Sequence, residues 1–391
     1  MSSVAKRALG IVLAIVLAGG IVAIVVLGRG FGGGILPGPS GAPADLTVVR
    51  GVIGSEKKPF FQDPQVQAIF AEYGLDVQVT TAGSRQIATS VDLTGVDFVF
   101  PSSAPAAEKI KRELNISTVY APFYSPMAIA TFKPIVQLLS NAGIAHQQAD
   151  GTWILDVKAY LAAIAAGTRW NQLPGAADLY NSSRSMLISS TDIRQSNSAA
   201  MYLSMASYVA NGDNIVSSPE AQNAIIDEMA SLFLEQGFSA SSSEAPFEDY
   251  LSQGIGSKPM VMIYEAQFLG RQMNDATAGA ITDDMVLMYP SPTVLSKHTV
   301  VPLTPNGDQV GQLLAQDPRL AALAAQYGFR PADPSVFADT LTQHGIPVPP
   351  SPVDVVEPPS YETLEAMITA ISERYDQPSP SGSPTGTDPD Q

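Results

Sequence analysis

The chain has 391 residues, enough for two compact lobes and additional terminal segments. Hydrophobic residues make up 45% and charged residues 15%, so most of the chain can bury a core and is not disordered. The 37 acidic residues outnumber the 21 basic ones, and the formal net charge of −16 disfavours a nucleic-acid partner. Cysteine is absent and only three histidines occur, so we expect no disulfide, thiol nucleophile, metal centre or cofactor.

The amino-terminal segment predicts a membrane anchor. Residues 8–27 carry no charged side chain, and a helix of that length is about 30 Å long, enough to cross the apolar core of a bilayer. Lys6 and Arg7 precede this run, which predicts that residues 1–7 stay cytoplasmic and that the rest of the chain is extracellular. A cleavable signal peptide is the alternative, but the small-x-small sequence at 42–44 lies far beyond the apolar run.

Residues 28–45 and residues 377–391 have compositions that disfavour packed elements. The first segment is dominated by glycine and proline, and the second by proline and serine. Because such sequences do not sustain a helix or a strand, we predict a flexible tether and a disordered tail. The folded body then lies between them, held outside the membrane.

Strand and helix patterns alternate through the first part of this body. Short β-branched or alternating runs predict strands, and apolar residues at helical spacing predict helices. The predicted strands cover residues 46–52, 75–81 and 96–101, and the predicted helices cover residues 59–73, a short stretch from 83, and residues 104–114. Three strand–helix units in succession indicate an α/β fold with a parallel sheet covered by helices.

Residues 117–132 show a different pattern. Two extended runs are joined through Ser125-Pro126 without an intervening helix, which is typical of a chain that crosses between two lobes. Further strands are predicted at 186–190, 258–264, 285–289 and 299–303, and further helices at 133–142, 157–166, 199–210, 221–236, 267–273, 307–316, 318–327, 334–344 and 361–375. We therefore predict two Rossmann-like lobes joined by a hinge, lobe 1 formed by residues 46–125 plus 290–376 and lobe 2 by residues 126–289.

Four polar loops each follow a predicted strand and precede a predicted helix. They are residues 54–57, 83–85, 102–103 and 191–198. Ligands of open α/β sheets bind beyond the carboxyl ends of the strands, where helix amino termini offer N–H groups to an anion. These loops therefore predict a crevice for a small polar or anionic ligand. For any single loop, a helix-capping role of its hydroxyl residues is the alternative.

The candidate ligand-binding residues lie mostly in these loops. Arg85 and Arg194 are candidates for pairing with an oxyanion, while Tyr264 and Glu265 follow an apolar strand and are candidates for the opposite wall. Glu56 and Lys57 are interpreted as a surface ion pair. The complete set is Ser55, Ser84, Arg85, Ser102, Ser103, Asp192, Arg194, Ser196, Asn197, Ser198, Tyr264 and Glu265.

Short sequences within residues 45–375 also carry a family resemblance. GSEK and GSR follow the first two strands, FVFPSS opens a helix, and TDIRQSNS opens a helix in the second lobe. In this order they resemble bacterial extracellular solute-binding proteins of the type II periplasmic class, and YPSPT and YGFRP are similar to membrane-anchored actinobacterial members. The resemblance implies a ligand held between two lobes, with a membrane permease and a cytoplasmic ATPase of an ABC-type uptake system as partners.

The sequence gives no motif of an enzyme. It contains no G-x-S-x-G elbow, no phosphate-binding P-loop, no dinucleotide fingerprint and no H-E-x-x-H zinc motif, so no catalytic residue is assigned. Besides a solute-binding protein, two functions stay open. One is a surface sensor or interaction protein with the same fold, and the other is a secreted hydrolase whose catalytic residues meet only in three dimensions.

Overall fold

The computed structural model describes residues 46–236 and 240–375. The predicted cytoplasmic terminus, membrane anchor, tether and tail, at residues 1–7, 8–27, 28–45 and 377–391, lie outside the described residues. Within the described ranges, no helix combines the length and the apolar character that a membrane span needs.

The strands of the described chain are hydrogen-bonded in one mixed sheet. Its order is β2-β1-β3-β9-β4-β8-β6-β5, and β7 and β10 pair with β4. The first three strands are parallel, as predicted, whereas β9 is antiparallel to both β3 and β4. The strands are β1 (Thr47–Ile53), β2 (Leu75–Thr81), β3 (Phe98–Phe100), β4 (Tyr120–Phe132), β5 (Ala145–Gln147), β6 (Trp153–Asp156), β7 (Met260–Tyr264), β8 (Met285–Ser291), β9 (Leu295–Pro302) and β10 (Arg330–Pro331).

Strand β4 replaces the two separate runs predicted between 117 and 132. It is one strand of 13 residues, and its pairing partner changes along its length. Up to Pro126 it pairs with β9, and from Met127 onward it pairs with β7. Pro126 lacks a backbone donor, and it stands at the position where one partner ends and the next begins.

Helices cover both faces of the mixed sheet. Most of them begin and end close to the residues predicted from the sequence. The predicted helix at 59–73 is wrong in one respect, because it is two helices. Asp63 lies between them and accepts a hydrogen bond from the Gln65 amide at 2.7 Å, and Pro64 starts the second helix without a donor. The helices are α1 (Lys58–Gln62), α2 (Pro64–Glu72), α3 (Ser84–Thr89), α4 (Ala104–Glu113), α5 (Lys133–Asn141), α6 (Val157–Ala165), α7 (Ala176–Leu179), α8 (Asn197–Ala210), α9 (Pro219–Leu234), α10 (Glu244–Gln253), α11 (Glu265–Met273), α12 (Pro305–Gln316), α13 (Pro318–Gln326), α14 (Pro334–Gln343) and α15 (Tyr361–Tyr375).

The predicted strand at 186–190 is wrong. The segment lies beside β7 but forms only one isolated bridge, through Ser189. The Ser189 amide donates to the Met260 carbonyl at 2.9 Å, and the Met262 amide donates to the Ser189 carbonyl at 2.8 Å. The buried side chains of Met186 and Ile188 account for the apolar pattern without a ladder. The pattern did not indicate the short hairpin of β5 and β6, or helix α10.

Within the described ranges the core consists of three buried clusters, and two of them lie on opposite faces of β1 and β3. On β3, Phe98 and Phe100 belong to one cluster and Val99 to the other, as the two-residue period of a strand requires. The largest cluster is built mainly from residues 127–294 and also takes apolar side chains from α14 and α15. The lobe boundaries given above stay a prediction.

Candidate functional site

A cleft of about 240 Å³ opens where β1, β2 and β3 end. One side is formed by residues between 54 and 102, and the other by residues between 195 and 264. Most of its lining side chains are small and polar. The lining residues are Gly54, Ser55, Glu56, Thr81, Ala82, Gly83, Ser84, Gln86, Ser102, Gln195, Ser196, Asn197, Ser241, Ser242, Ser243 and Tyr264.

All four polar loops predicted from the sequence reach this cleft. Half of the candidate residues line it, and their role as ligand contacts stays a prediction. They are Ser55, Ser84, Ser102, Ser196, Asn197 and Tyr264.

Two glycines let the loops approach each other closely. A Cβ atom on Gly54 would lie 2.5 Å from the Ser102 hydroxyl, and one on Gly83 would lie 2.4 Å from the Gln195 carbonyl oxygen. Both distances are below van der Waals contact, so any larger residue would have to push the loops apart. The contact of Gly83 is important for the cleft because it joins the loop after β2 to the loop that precedes α8.

Glu56 and Lys57 are not the surface pair that the sequence predicted. The side chain of Lys57 is completely buried, and that of Glu56 is 8% exposed. The Lys57 ammonium donates to Glu56 Oε1 at 2.6 Å and to the Ser102 hydroxyl at 2.7 Å. It also lies 3.0 Å from His298 Nδ1. The interpretation was wrong because the 3-10 turn of residues 55–57 turns Lys57 inward, beneath the cleft.

Burial and charge fix the protonation of this buried group. Burial raises the pKa of Glu56, but Lys57, His298 and the hydrogen bonds together lower it by more than burial raises it. The resulting pKa of Glu56 is about 2. Burial also lowers the pKa of Lys57, an effect that Glu56 partly offsets. Burial and the neighbouring Lys57 charge hold the pKa of His298 well below its usual range. His298 is therefore neutral, while Glu56 remains a carboxylate.

The tautomer of His298 follows from its neighbour. The ammonium of Lys57 can only donate, so His298 Nδ1 must accept and the ring proton must be on Nε2. That Nε2 atom is buried and has no hydrogen-bond partner within the described residues. The strand predicted at 299–303 starts one residue after His298, whereas β9 includes His298 and places it among aromatic rings, including Phe123 and Phe329.

Asn197 connects the two sides of the cleft. Its amide nitrogen donates to the Ser102 carbonyl at 2.9 Å and to the Tyr264 hydroxyl at 3.1 Å. Burial and the charge of Glu56 raise the pKa of Tyr264 well above its usual range, so this phenol keeps its proton. Among the lining residues of the described chain, Glu56 alone carries a charge. The cleft therefore presents hydroxyl and amide groups that donate or accept, and one carboxylate that only accepts.

Both candidate arginines lie outside the cleft lining. Arg85 Nε donates to both oxygens of Glu365, at 2.9 and 2.7 Å, and its Nη1 donates to the Arg194 carbonyl at 2.8 Å. Arg194 forms a two-point ion pair with Asp192 and lies over the ring of Tyr375. Each guanidinium is thus paired with an acid of the protein itself.

The other candidates outside the lining also have structural partners. Ser103 accepts a hydrogen bond from the Ala106 amide and caps α4, and the Ser198 hydroxyl bonds to that of Thr191 at 2.8 Å. Glu265 is completely buried, where Arg330 donates to both of its oxygens at 2.6 and 2.7 Å.

The sequence analysis missed the segment Ser241–Ser243, which supplies hydroxyl groups to the cleft. The visible signal was three consecutive serines directly before a helix, which is more polar than a connection requires. Within the part of the chain that the structure describes, no group of three or more histidine, aspartate or glutamate side chains is placed to hold a metal ion.

Comparisons with known proteins identify the fold. No protein-family model and no curated sequence matches the chain. Among solved structures, apo ferric ion-binding protein A of Pasteurella haemolytica matches 84% of this chain and 98% of its own, with a TM-score of 0.53 and 11% identity. A periplasmic thiamin-binding protein matches 88% of this chain and 100% of its own, with a TM-score of 0.52 and 12% identity.

Iron-bound HitA from Pseudomonas aeruginosa is a third match. It covers 83% of this chain and 98% of its own, with a TM-score of 0.50 and 9% identity. At these identities the likeness shows the fold and nothing finer. The described chain therefore has the mixed α/β fold of the periplasmic solute-binding proteins.

Proposed function

We propose that the protein is an extracytoplasmic solute-binding protein that holds a small polar or anionic solute in the cleft beyond β1, β2 and β3. The observation that carries this proposal is the convergence of four polar loops, from distant parts of the sequence, on one cleft at the carboxyl ends of parallel strands. Ligands of open α/β sheets bind at that edge. The likeness to solute-binding proteins supports the same role, and non-enzymatic binding rather than catalysis.

The lining chemistry narrows the class of solute. The serine hydroxyls and the amides of the helix starts donate to acceptor atoms of a ligand. Glu56 only accepts, and its ion pair with Lys57 keeps it charged. A solute without a hydrogen-bond donor would leave this carboxylate facing the solute's acceptors. We therefore propose a solute that carries acceptors and at least one donor.

The remaining parts of the proposal concern location and partners. Residues 8–27 would anchor the protein, so that the folded part lies outside the cell membrane. Closure of two lobes around the solute would present the loaded protein to a permease of an ABC-type uptake system. Cell fractionation and external protease treatment test the location. The full-length chain is expected in the membrane fraction and accessible to protease, and a soluble mature form starting near residue 45 would contradict the anchor.

A thermal-shift screen of the full-length protein in detergent tests solute binding. A solute at 100 times its dissociation constant stabilises the fold by about 2.7 kcal/mol, which a melting curve resolves. For any solute found, Ser55→Ala should weaken binding about two- to tenfold, since one hydrogen bond is lost. Ser252→Ala is the matched control because this exposed serine lies on α10, outside the cleft lining. Equal affinity in both variants would show that the solute does not bind in the cleft.

A further inference from the structure

A second cavity, of about 600 Å³, adjoins the cleft. The two cavities share Ser55, Glu56 and Thr81 as lining residues, so they are neighbours around the loop that follows β1. The Ser55 hydroxyl also bonds to the Ser242 hydroxyl at 3.1 Å, and this contact spans from one side of the cleft to the other. A solute in the cleft therefore lies directly beside the second cavity.

The lining of the second cavity differs from that of the cleft. Aromatic side chains, which in the cleft are represented only by Tyr264, here include Phe247, Tyr327 and Phe329. Phe247 and Phe329 are each 1% exposed, whereas Tyr327 is partly exposed. Tyr327 therefore presents ring surface to the cavity, and such surface favours contact with another ring or with an apolar group.

The polar residues of this cavity are already partly engaged. Gln267 accepts from the Tyr264 amide at 3.1 Å, and Arg271 pairs with Glu244 and with Glu248. Their partners are protein groups, so these two side chains have hydrogen-bond or ion-pair partners without a solute, and they leave the apolar residues of the lining free for one. Sites for organic molecules combine apolar and aromatic side chains with polar groups, and this cavity supplies both kinds.

Size separates the two cavities as well. Small-molecule sites commonly enclose about 300–1,000 Å³. The second cavity falls within that range, while the cleft, at about 240 Å³, lies below it. The cleft suits a polar group of a solute, and the second cavity suits the rest of an organic one.

We propose that the solute is an organic molecule whose polar group lies in the serine-lined cleft and whose aromatic body occupies the second cavity. This inference rests on the proposed function and extends it from solute binding to a class of solute. An inorganic ion would use the cleft alone and would leave the second cavity without a role.

Matched pairs of probes test the inference by isothermal titration calorimetry on the full-length protein in detergent. Each pair keeps the same polar groups, which include a donor and an acceptor, and adds a phenyl ring: alanine with phenylalanine, and lactate with phenyllactate. Burying a ring against apolar surface is expected to strengthen binding about tenfold or more in at least one pair.

A blocking variant separates ring binding in the second cavity from ring binding elsewhere. Gln62 is exposed, lines the second cavity but not the cleft, and Gln62→Trp would fill part of that cavity. Gln65→Trp is the matched control, because Gln65 is also exposed but lines neither cavity. The advantage of the phenyl probe should disappear in Gln62→Trp and persist in Gln65→Trp, while the small partner binds all three proteins equally.

The outcomes distinguish this inference from the proposed function. Binding of the small probes without any gain from the phenyl ring would overturn the inference and leave the proposed function standing. A phenyl advantage that persists in Gln62→Trp would also overturn it. If no member of any pair binds, the result counts against solute binding itself, and the inference fails with it.

Discussion

The ammonium of Lys57 lies 2.6 Å from the Glu56 carboxylate, yet the first side chain is completely buried and the second lines the cleft. Two consecutive residues thus provide a charge at the ligand site and its counter-charge beneath it. The Ser102 hydroxyl and His298 complete the coordination of the ammonium. Because the pair is buried, its consequences for stability are large enough to measure.

Removal of the counter-charge should destabilise the fold. Lys57→Met leaves the Glu56 carboxylate partly buried and unpaired, and we expect a loss of about 3–5 kcal/mol in the free energy of unfolding. Adding Glu56→Gln to this variant should recover part of the loss, because the uncompensated charge is then gone. Urea denaturation measures both. Lys111→Met is the control, since its pair with Glu108 is exposed and worth less than about 1 kcal/mol.

Acid should weaken the fold through Glu56. Its pKa is about 2 in the folded protein, below the ordinary value of 4.5, so its contribution is complete above pH 4.5 and is lost as the pH falls toward 2. The shift corresponds to about 3 kcal/mol at most. Chemical denaturation at pH 5 and pH 3 should show a smaller pH-dependent loss in Glu56→Gln than in the wild type. Equal losses in both proteins would contradict the assigned ionisation.

Neutral His298 should give a second pH dependence, in a higher range. Its folded pKa lies well below 6.5, so the unfolded chain takes up a proton that the folded protein does not as the pH falls below that value. The free energy of unfolding should therefore fall as the pH is lowered from 7 through 6.5. His298→Phe fits the surrounding rings and should remove that pH dependence, whatever its effect at pH 7. An unchanged slope of unfolding free energy against pH would show that His298 is not the group responsible.

The contact between Gly83 and Gln195 should set the width of the cleft. In Gly83→Ala the new methyl group would meet the Gln195 carbonyl, and separating the two loops should cost about 1–3 kcal/mol of stability. Affinity for any cleft-bound solute should fall as well. Gly256→Ala is the control because nothing lies within 4 Å of its Cβ position. Thermal unfolding and titration of both variants test this, and equal behaviour would show that the loops move apart freely.

The buried pair of Glu265 and Arg330 should act on stability and not on solute affinity. Arg330→Met would leave the completely buried Glu265 carboxylate without its two-point partner, at a cost of about 3–5 kcal/mol. Arg112→Met, which breaks an exposed pair with Glu362, should change little. A large loss of solute affinity in Arg330→Met, under conditions where the variant remains folded, would show that Glu265 contributes to solute binding.

The cleft loops were predictable because their signal is local. Polar residues at 54–57 and 83–85 directly follow strands whose apolar pattern is unambiguous, and parallel strands bring their carboxyl ends together. The partner of a charged residue is not local. Arg85 contacts Glu365, 280 positions later in the chain, and nothing near Arg85 in the sequence indicates that acid.

Burial of charge was the least predictable feature. Lys57 resembles any surface lysine beside a glutamate, and only the fold places His298, 241 positions away, against it. The break at Asp63 was, by contrast, readable from the Asp-Pro sequence, where an N-cap residue precedes a proline. The continuity of β4 was not, because Pro126 argues locally against a strand interior.

That continuity limits how the protein can move. A strand of 13 residues is hydrogen-bonded first to β9 and then to β7 and β8, so it resists a sharp rotation at a single residue. We expect any change in cleft width to be absorbed as a gradual increase or decrease of twist along β4, with the greatest compliance at Ser125-Pro126, where the partner changes. The strand would then resist twisting elastically and return the cleft to one resting width. Hydrogen exchange tests this directly. If β4 twists elastically, its backbone amides stay protected while the cleft opens. If the strand instead breaks locally at a hinge, the amides at that point exchange.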